Sequence, residues 1–122
     1  MKYGFVLLAL IIIGYIVYKA MRPKNIKSID GDTAKALYNS GATIVDVRTQ
    51  SEYKSGHIPG SINIPVGSPI PDPKLPGKKD APIIVYCRSG SRALAFEKAL
   101  LKEGYSNVYH LGSISKWKGD LK

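Results

Sequence analysis

Two short apolar runs rich in β-branched residues most constrain the fold of this 122-residue chain. They are ATIVDVR, residues 42–48, and PIIVYC, residues 82–87. Both are bounded by glycine or proline and are almost continuously apolar at their centres, which is typical of strands buried on both faces. Helix-like segments follow both runs. This alternation predicts an α/β fold with a mostly parallel central sheet flanked by helices.

Helix signals surround these strands. In DTAKALYNSG, residues 32–41, Asp32 is a candidate N-cap and Gly41 a stop signal. TQSEYKSG, residues 49–56, begins with a capping box from Thr49 to Glu52. Brief strands are predicted at residues 61–65 and 107–111, a Pro- and Gly-rich loop at 66–82, and a terminal helical turn at 113–119. The longest helix of this part is predicted at residues 91–104, with apolar faces formed by Leu94, Ala95, Leu101 and either Phe96 or Leu100.

The first residues form a separate unit. Residues 3–18 carry no charge, and Lys2 and Lys19 flank them. As a helix they span about 24 Å, somewhat short of a hydrocarbon core of about 30 Å, although flanking lysines can snorkel. No small-residue cleavage site follows, which disfavours a signal peptide, and the all-round apolar surface disfavours a buried core helix. We expect a transmembrane anchor at 3–21, a tether at 22–27 and one domain at 28–122.

Charge distribution bears on partners and location. The chain has 18 basic and 9 acidic residues, for a formal charge of +9. The basic residues are scattered without an aromatic platform, so nucleic acid is not an expected partner. Lys19, Arg22, Lys24 and Lys27 follow the apolar segment, and the positive-inside rule then predicts a single-pass membrane protein with its domain in the cytoplasm. An extracytoplasmic domain is the alternative, which the single free cysteine disfavours.

The chemistry is concentrated in CRSGSR, residues 87–92, where a strand gives way to a helix. Ligands of parallel sheets bind beyond the carboxyl ends of the strands, and Cys87 lies at such an end. Gly90 permits a tight turn that points backbone N–H groups inward, next to the positive end of the helix dipole. Arg88 and Arg92 add charge. This arrangement favours a nucleophilic thiolate and an anionic substrate. The alternative is a buried, inert cysteine.

The same segment resembles the active-site loop of the rhodanese homology family of sulfurtransferases. Four residues separate Cys87 from Arg92, one fewer than in the loop of cysteine-based phosphatases. DVRTQSEYKSGHIPGSINIP, residues 46–65, is similar to the amino-side signature of that family, and GYSNVYHLGSISKW, residues 104–117, to its carboxyl-side pattern. The chain departs from the pattern at Gly112–Ser113, where the family has Gly-Gly, and in the Pro-rich stretch 69–82.

The resemblance implies a three-layer rhodanese-like fold and a sulfurtransferase that needs no cofactor. Cys87 would take sulfur from thiosulfate or another persulfide and pass it to cyanide, a thiol or a sulfur-relay protein. A phosphatase or arsenate reductase of the same fold is the enzymatic alternative. A redox-sensing or docking module is the non-catalytic one. The residues implied to bind the donor are Arg88, Ser89, Gly90, Ser91 and Arg92.

Other polar residues are assigned structural roles. Asp46, Arg48 and Glu52 are expected to form an ion-pair group that supports the turn after the first buried strand. Arg92 is expected either to bind substrate or to brace Asp46. His57 precedes a proline turn and is expected to hydrogen-bond locally. One cysteine and two histidines make no metal-site spacing.

Overall fold

The computed structural model describes residues 3–21 and 26–122. Helices and strands alternate along most of this length, as the sequence predicts. The elements in chain order are α1 (Gly4–Met21), β1 (Ile26–Ser28), α2 (Gly31–Asn39), β2 (Thr43–Asp46), α3 (Gln50–Ser55), β3 (Ile62–Asn63), β4 (Ile83–Cys87), α4 (Ser91–Lys102), β5 (Val108–Ser113) and a terminal 3₁₀ turn (Ile114–Lys116).

The five described strands form one sheet in the order β1-β5-β4-β2-β3. Neighbouring strands are parallel throughout, with Val45 of β2 beside Val85 of β4. The register between β4 and β5 shifts after Val85, so that Cys87 lies beside Ser113. The strand that ends in the cysteine is therefore the central strand. The expected parallel α/β fold is confirmed.

The core has two halves because successive side chains of a strand point to opposite faces of the sheet. On one face, Val45 and Val85 pack with Phe96 and Leu100 of α4. On the other, alternate strand residues pack against α2 and the turn at Ile58. Each fully buried aliphatic or aromatic side chain contributes about 1.5–3 kcal/mol. Side chains of β2 and β4 therefore contribute to both halves of the core.

The capping box at the start of α3 is confirmed. The Thr49 side chain accepts a hydrogen bond from the Glu52 N–H, and the Glu52 carboxylate accepts one from the Thr49 N–H. The cap of α2 was wrongly expected at Asp32. Asp30 caps the helix instead and accepts a hydrogen bond from the Thr33 N–H at 2.8 Å. The reason is a tertiary contact between the first turn of α2 and the 3₁₀ turn. Gly31 packs so closely against the Lys116 carbonyl that a Cβ there would overlap it, and this packing fixes where the helix begins.

The buried face of α4 agrees only in part with the expected one: both candidates Phe96 and Leu100 are buried. Leu94 and Ala95 lie on the exposed side, whereas Ala93 and Phe96 are buried. Glu97, an acidic residue, is buried with them. The apolar residues of α4 are compatible with more than one buried stripe at helical spacing. Contact with β4 and β5 selects the stripe that contains the acid.

Helix α1 exposes apolar side chains on all sides, among them Phe5 at 83% and Ile11 at 62%. The expected transmembrane anchor at 3–21 is nevertheless not supported: among the residues described, no helix combines the length and the hydropathy needed to cross a membrane. The uncharged run is short for this purpose, about 24 Å as a helix. Of the expected tether, residues 22–25 lie outside the described residues. Residues 26 and 27 belong to β1 and pair with Val108 and Tyr109.

Candidate active site

The loop of residues 87–92, called the active-site loop below, connects the central strand to α4. Cys87 is the last residue of β4 and Ser91 the first of α4. The loop lies at the carboxyl edge of the sheet, where ligands of parallel sheets bind. Cys87 itself is buried, whereas Arg88, Ser89 and Ser91 are exposed. The sulfur therefore lies at the floor of a polar loop.

Gly90 gives the loop its shape. Its φ angle is 113°, a left-handed conformation that side chains with a Cβ rarely adopt. This conformation directs the Gly90 N–H at the Cys87 Sγ, at 2.9 Å. The Gly90 carbonyl in turn accepts the first hydrogen bond of α4, from the Leu94 N–H at 3.0 Å. One glycine thus orients a donor toward the sulfur and starts the helix whose positive dipole end faces the loop.

Ser113 ties the loop to the neighbouring strand. Its hydroxyl donates a hydrogen bond to the Arg88 carbonyl at 2.8 Å and accepts one from the Ser115 N–H. This is the position at which the sequence departs from the Gly-Gly pattern. Gly112 keeps the φ of 86° that glycine tolerates, so the departure does not alter that turn. It adds a hydroxyl that holds the loop backbone, a contact that sequence reasoning missed.

Arg92 is paired with Glu52. Its two terminal nitrogens donate to the two carboxylate oxygens at 2.7 and 3.1 Å. Hydrogen bonds from Arg92, and then from Thr49, lower the pKa of Glu52 to about 2. Of the two expectations for Arg92, a brace describes its contacts, but the partner is Glu52 and not Asp46. The capping box of α3 is thereby connected to the active-site loop.

Asp46 is occupied by Arg48. The Arg48 guanidinium donates two hydrogen bonds to Asp46 Oδ2, the shorter at 2.7 Å, and one to the Gly56 carbonyl. Both side chains are almost fully buried. The expected ion-pair group is therefore two separate pairs, Asp46 with Arg48 and Glu52 with Arg92. His57 bonds locally, as expected, with its Nδ1 at 2.8 Å from the Tyr53 carbonyl.

A second pair, between a buried acid and a half-buried histidine, lies close to the loop and was not predicted. Glu97 of α4 is fully buried, and both its carboxylate oxygens approach His110 Nδ1, at 2.7 and 2.9 Å. Burial, and then the negative charge of Cys87, raise the pKa of Glu97 to about 9. Burial, and then Lys116, lower the pKa of His110. The sequence feature that could have indicated this pair is helical spacing: Glu97 lies one turn from both Ala93 and Leu100, and therefore on the buried face of α4.

Comparison with known proteins agrees with this architecture. A family model described as the rhodanese-like domain matches residues 30–120, and the chain therefore belongs to that family. It is 30% identical to the uncharacterized protein YqhL of Bacillus subtilis over 118 residues, which cover 96% of this chain and 92% of the relative. It is 36% identical to the thiosulfate sulfurtransferase GlpE of Pseudomonas fluorescens over 93 residues, 75% of this chain and 84% of the relative. The solved human single-domain sulfurtransferase TSTD1 superposes with a TM-score of 0.65 at 25% identity, covering 76% of this chain and 94% of that one.

Proposed function

We propose that this protein is a sulfurtransferase that carries sulfane sulfur on Cys87. The observation that carries the proposal is the 2.9 Å hydrogen bond from the Gly90 N–H to the Cys87 sulfur, at the end of the central strand and the start of α4. A backbone donor and a helix N-terminus stabilise negative charge on sulfur without any reorganisation. Membership of the rhodanese-like family and a relative named thiosulfate sulfurtransferase support the same chemistry.

The proposed reaction has two displacements at sulfur. The Cys87 thiolate attacks the outer sulfur of thiosulfate, a new S–S bond forms, and the bond to the sulfonate breaks as sulfite leaves with the electron pair. A thiolate or cyanide then attacks the terminal sulfur of the persulfide, and Cys87 leaves as the thiolate. No proton is transferred between these anions in either step. The protein's contribution is therefore electrostatic: its hydrogen-bond donors stabilise the negative charge on sulfur in both the thiolate and the persulfide.

The residues of the loop divide into two groups under this proposal. Arg88, Ser89 and Ser91 have exposed side chains that can orient an anionic donor. Gly90 supplies the backbone N–H, and Arg92 supports the loop through Glu52. This last contact disfavours a phosphatase, because both terminal nitrogens of the arginine that would clamp a phosphoryl group are already bonded to a carboxylate. A small loop with one free exposed arginine fits a sulfur donor better.

The direct test is the intact mass of the protein after incubation with thiosulfate. We expect one added sulfur atom, removed by a thiol reductant or by cyanide. Cys87→Ser should gain no sulfur and show no thiosulfate:cyanide transfer, with an unchanged circular dichroism spectrum as the folding control. Appreciable transfer by Cys87→Ser, or hydrolysis of an aryl phosphate faster than sulfur transfer, would refute the assignment. If the wild-type protein gains no sulfur, the result would favour the non-catalytic alternative, a docking or redox-sensing module.

For α1 we propose contact with the lipid of a bilayer. The exposed apolar side chains, including Phe5, Leu7 and Ile11, are supporting observations. Basic residues flank this segment in the sequence, which favours a surface bearing anionic lipids. A free thiol that cycles through a persulfide fits the reducing cytoplasmic side. On this proposal, α1 concentrates the sulfur carrier at a membrane without contributing to its chemistry.

Flotation with lipid vesicles tests the contact. The wild-type chain should float with vesicles that contain anionic phosphatidylserine, and less with purely zwitterionic ones. Replacing Leu7 and Ile11 together by aspartate should abolish flotation and leave sulfur transfer intact. Wild-type protein that stays in the aqueous fraction with both vesicle types would remove the lipid proposal. Cleavage of the domain by a protease added to intact cells would contradict the cytoplasmic location.

A further inference from the structure

The Glu97–His110 pair lies beneath the active-site loop, outside the donor-binding residues described above. The imidazole faces the two glycines that shape this region. A Cβ at Gly112 would lie 2.8 Å from His110 Nε2, and one at Gly90 would lie 3.8 Å from it. The other ring nitrogen, Nδ1, is held by the carboxyl group of Glu97. The ring is thus fixed between a buried acid and the backbone that presents a donor to the sulfur.

The charged groups that face this pair are few. From β4 the group is Cys87, and from the 3₁₀ turn it is Lys116. The β1 residue beside His110 is Ser28, which does not titrate. Among the residues described, no lysine or arginine is paired with Glu97. The acid therefore has one anionic neighbour, the sulfur, and is neutral only while its own carboxyl group is protonated.

We propose that Glu97 and His110 are a positioning pair that retains a proton beneath the active-site loop, so that no fixed negative charge opposes the anions that react above it. This inference rests on the proposed sulfur transfer. Attack of the thiolate on thiosulfate brings together three negative charges, and the persulfide and sulfite that result carry the same three. An ionised Glu97 would add a fourth in a buried, weakly screened location.

The arrangement of the proton follows from burial. The pKa of Glu97 is raised to about 9 by burial and by the Cys87 charge, and burial lowers the pKa of His110. Both directions favour the neutral acid and the neutral imidazole. The carboxyl O–H then donates to Nδ1, and the ring N–H lies on Nε2, on the side of Gly90 and Gly112. Such a buried acid destabilises the fold at neutral pH, and a function explains its presence better than packing does.

Single-turnover formation of the Cys87 persulfide tests the proposal without interference from an acceptor. Wild-type protein would be mixed with thiosulfate at values between about pH 7 and about pH 10, alkylated, and analysed by intact mass. We expect the rate constant to fall at least about fivefold, the low end of typical site–site coupling, around a midpoint of about 9. In Glu97→Gln, which keeps a hydrogen-bonding amide but no ionisable proton, the ratio of the rates at the two ends should stay within about twofold.

Glu103→Gln is the matched control. Glu103 lies at the end of the same helix and is exposed, so this variant should retain the wild-type alkaline decline. A decline of unchanged size in Glu97→Gln would overturn the proposal, and so would a wild-type rate that does not decline. A merely structural role for Glu97 would change the rate at all pH values and leave their ratio unchanged.

A second measurement needs no variant and no sulfur transfer. The ¹³Cδ resonance of Glu97 in the wild-type chain should titrate with a midpoint of about 9, whereas an ordinary midpoint near 4.5 would overturn the inference. These measurements distinguish failure of the proposed function from failure of the inference about Glu97. Wild-type protein that forms no persulfide at any pH refutes the proposed function, and the Glu97 resonance still shows whether the proton is held.

Discussion

The two arginines of the active-site loop should respond differently to replacement by alanine. Arg88 is exposed, and its side chain has no hydrogen-bond or ion-pair partner within the described part of the chain. Arg92 bonds Glu52 through both terminal nitrogens, and each side chain of that pair is about one-third exposed, 33% and 29%. The first is free to meet a donor anion, and the second is committed to the fold.

These contacts set the magnitudes. A charge-assisted hydrogen bond contributes about 1.5–3 kcal/mol, and 1.4 kcal/mol is a factor of ten, so Arg88→Ala should raise the KM for thiosulfate about 10- to 150-fold. Its free energy of unfolding should change by less than about 0.5 kcal/mol. Solvent screening limits the Arg92–Glu52 pair to about 1 kcal/mol. Arg92→Ala should therefore lose about that much stability, with a smaller rise in KM.

The assay combines steady-state kinetics over a range of thiosulfate concentrations with urea unfolding of both variants. Added salt should raise the wild-type KM and have less effect on Arg88→Ala, because screening acts on the charge that the variant lacks. An unchanged KM in Arg88→Ala, with normal stability, would refute its role as donor-binding residue. A larger rise in KM for Arg92→Ala, with normal stability, would show that the ion pair opens to bind substrate.

Two further results are expected. Tyr86→Phe should destabilise the domain by about 1–3 kcal/mol in urea unfolding, because the Tyr86 hydroxyl is buried and accepts a hydrogen bond from the Ile58 N–H at 3.1 Å. The control is Tyr109→Phe, which removes a hydroxyl that has no hydrogen-bond partner in the described residues. This control should lose much less stability. Glu52→Gln should be less stable than wild type above pH 4.5, and the difference should shrink as the pH falls through about 2, because a lowered pKa stabilises the fold only while the carboxylate is charged. A constant difference across this pH window would contradict the assignment.

Features governed by neighbouring residues could be predicted from the sequence. The Thr49–Glu52 capping box was predicted because its donors and acceptors lie within one turn of helix. Strands β2 and β4 were predicted because their apolar runs admit few alternatives. Cys87 was placed correctly at the carboxyl end of the central strand because strand ends in a parallel sheet share one edge.

Features set by distant residues could not be predicted in this way. The partner of Arg92 lies 40 positions away, and the expected partner, Asp46, is paired with Arg48 instead. The strand β1 has only three residues and is defined by pairing with β5. Glu97 is tolerated in the core because His110, on another element, meets it. A prediction from helical periodicity places acidic residues on the exposed face. It therefore omits Glu97 from the core, because the pairing with His110 cannot be read from the sequence.

The complete burial of Cys87 has a consequence for how the protein handles its cargo. In the resting state the side chain has no accessible surface, so bulky oxidants and large electrophiles are kept away from the thiol. A persulfide places its terminal sulfur one S–S bond, about 2.05 Å, beyond Sγ. On the proposed function, loading thus moves the reactive atom from the floor of the loop toward its rim. Before loading, the nucleophilic sulfur of Cys87 is buried. After loading, the terminal sulfur of the persulfide, which is the atom to be transferred, lies closer to solvent than the Cys87 sulfur does.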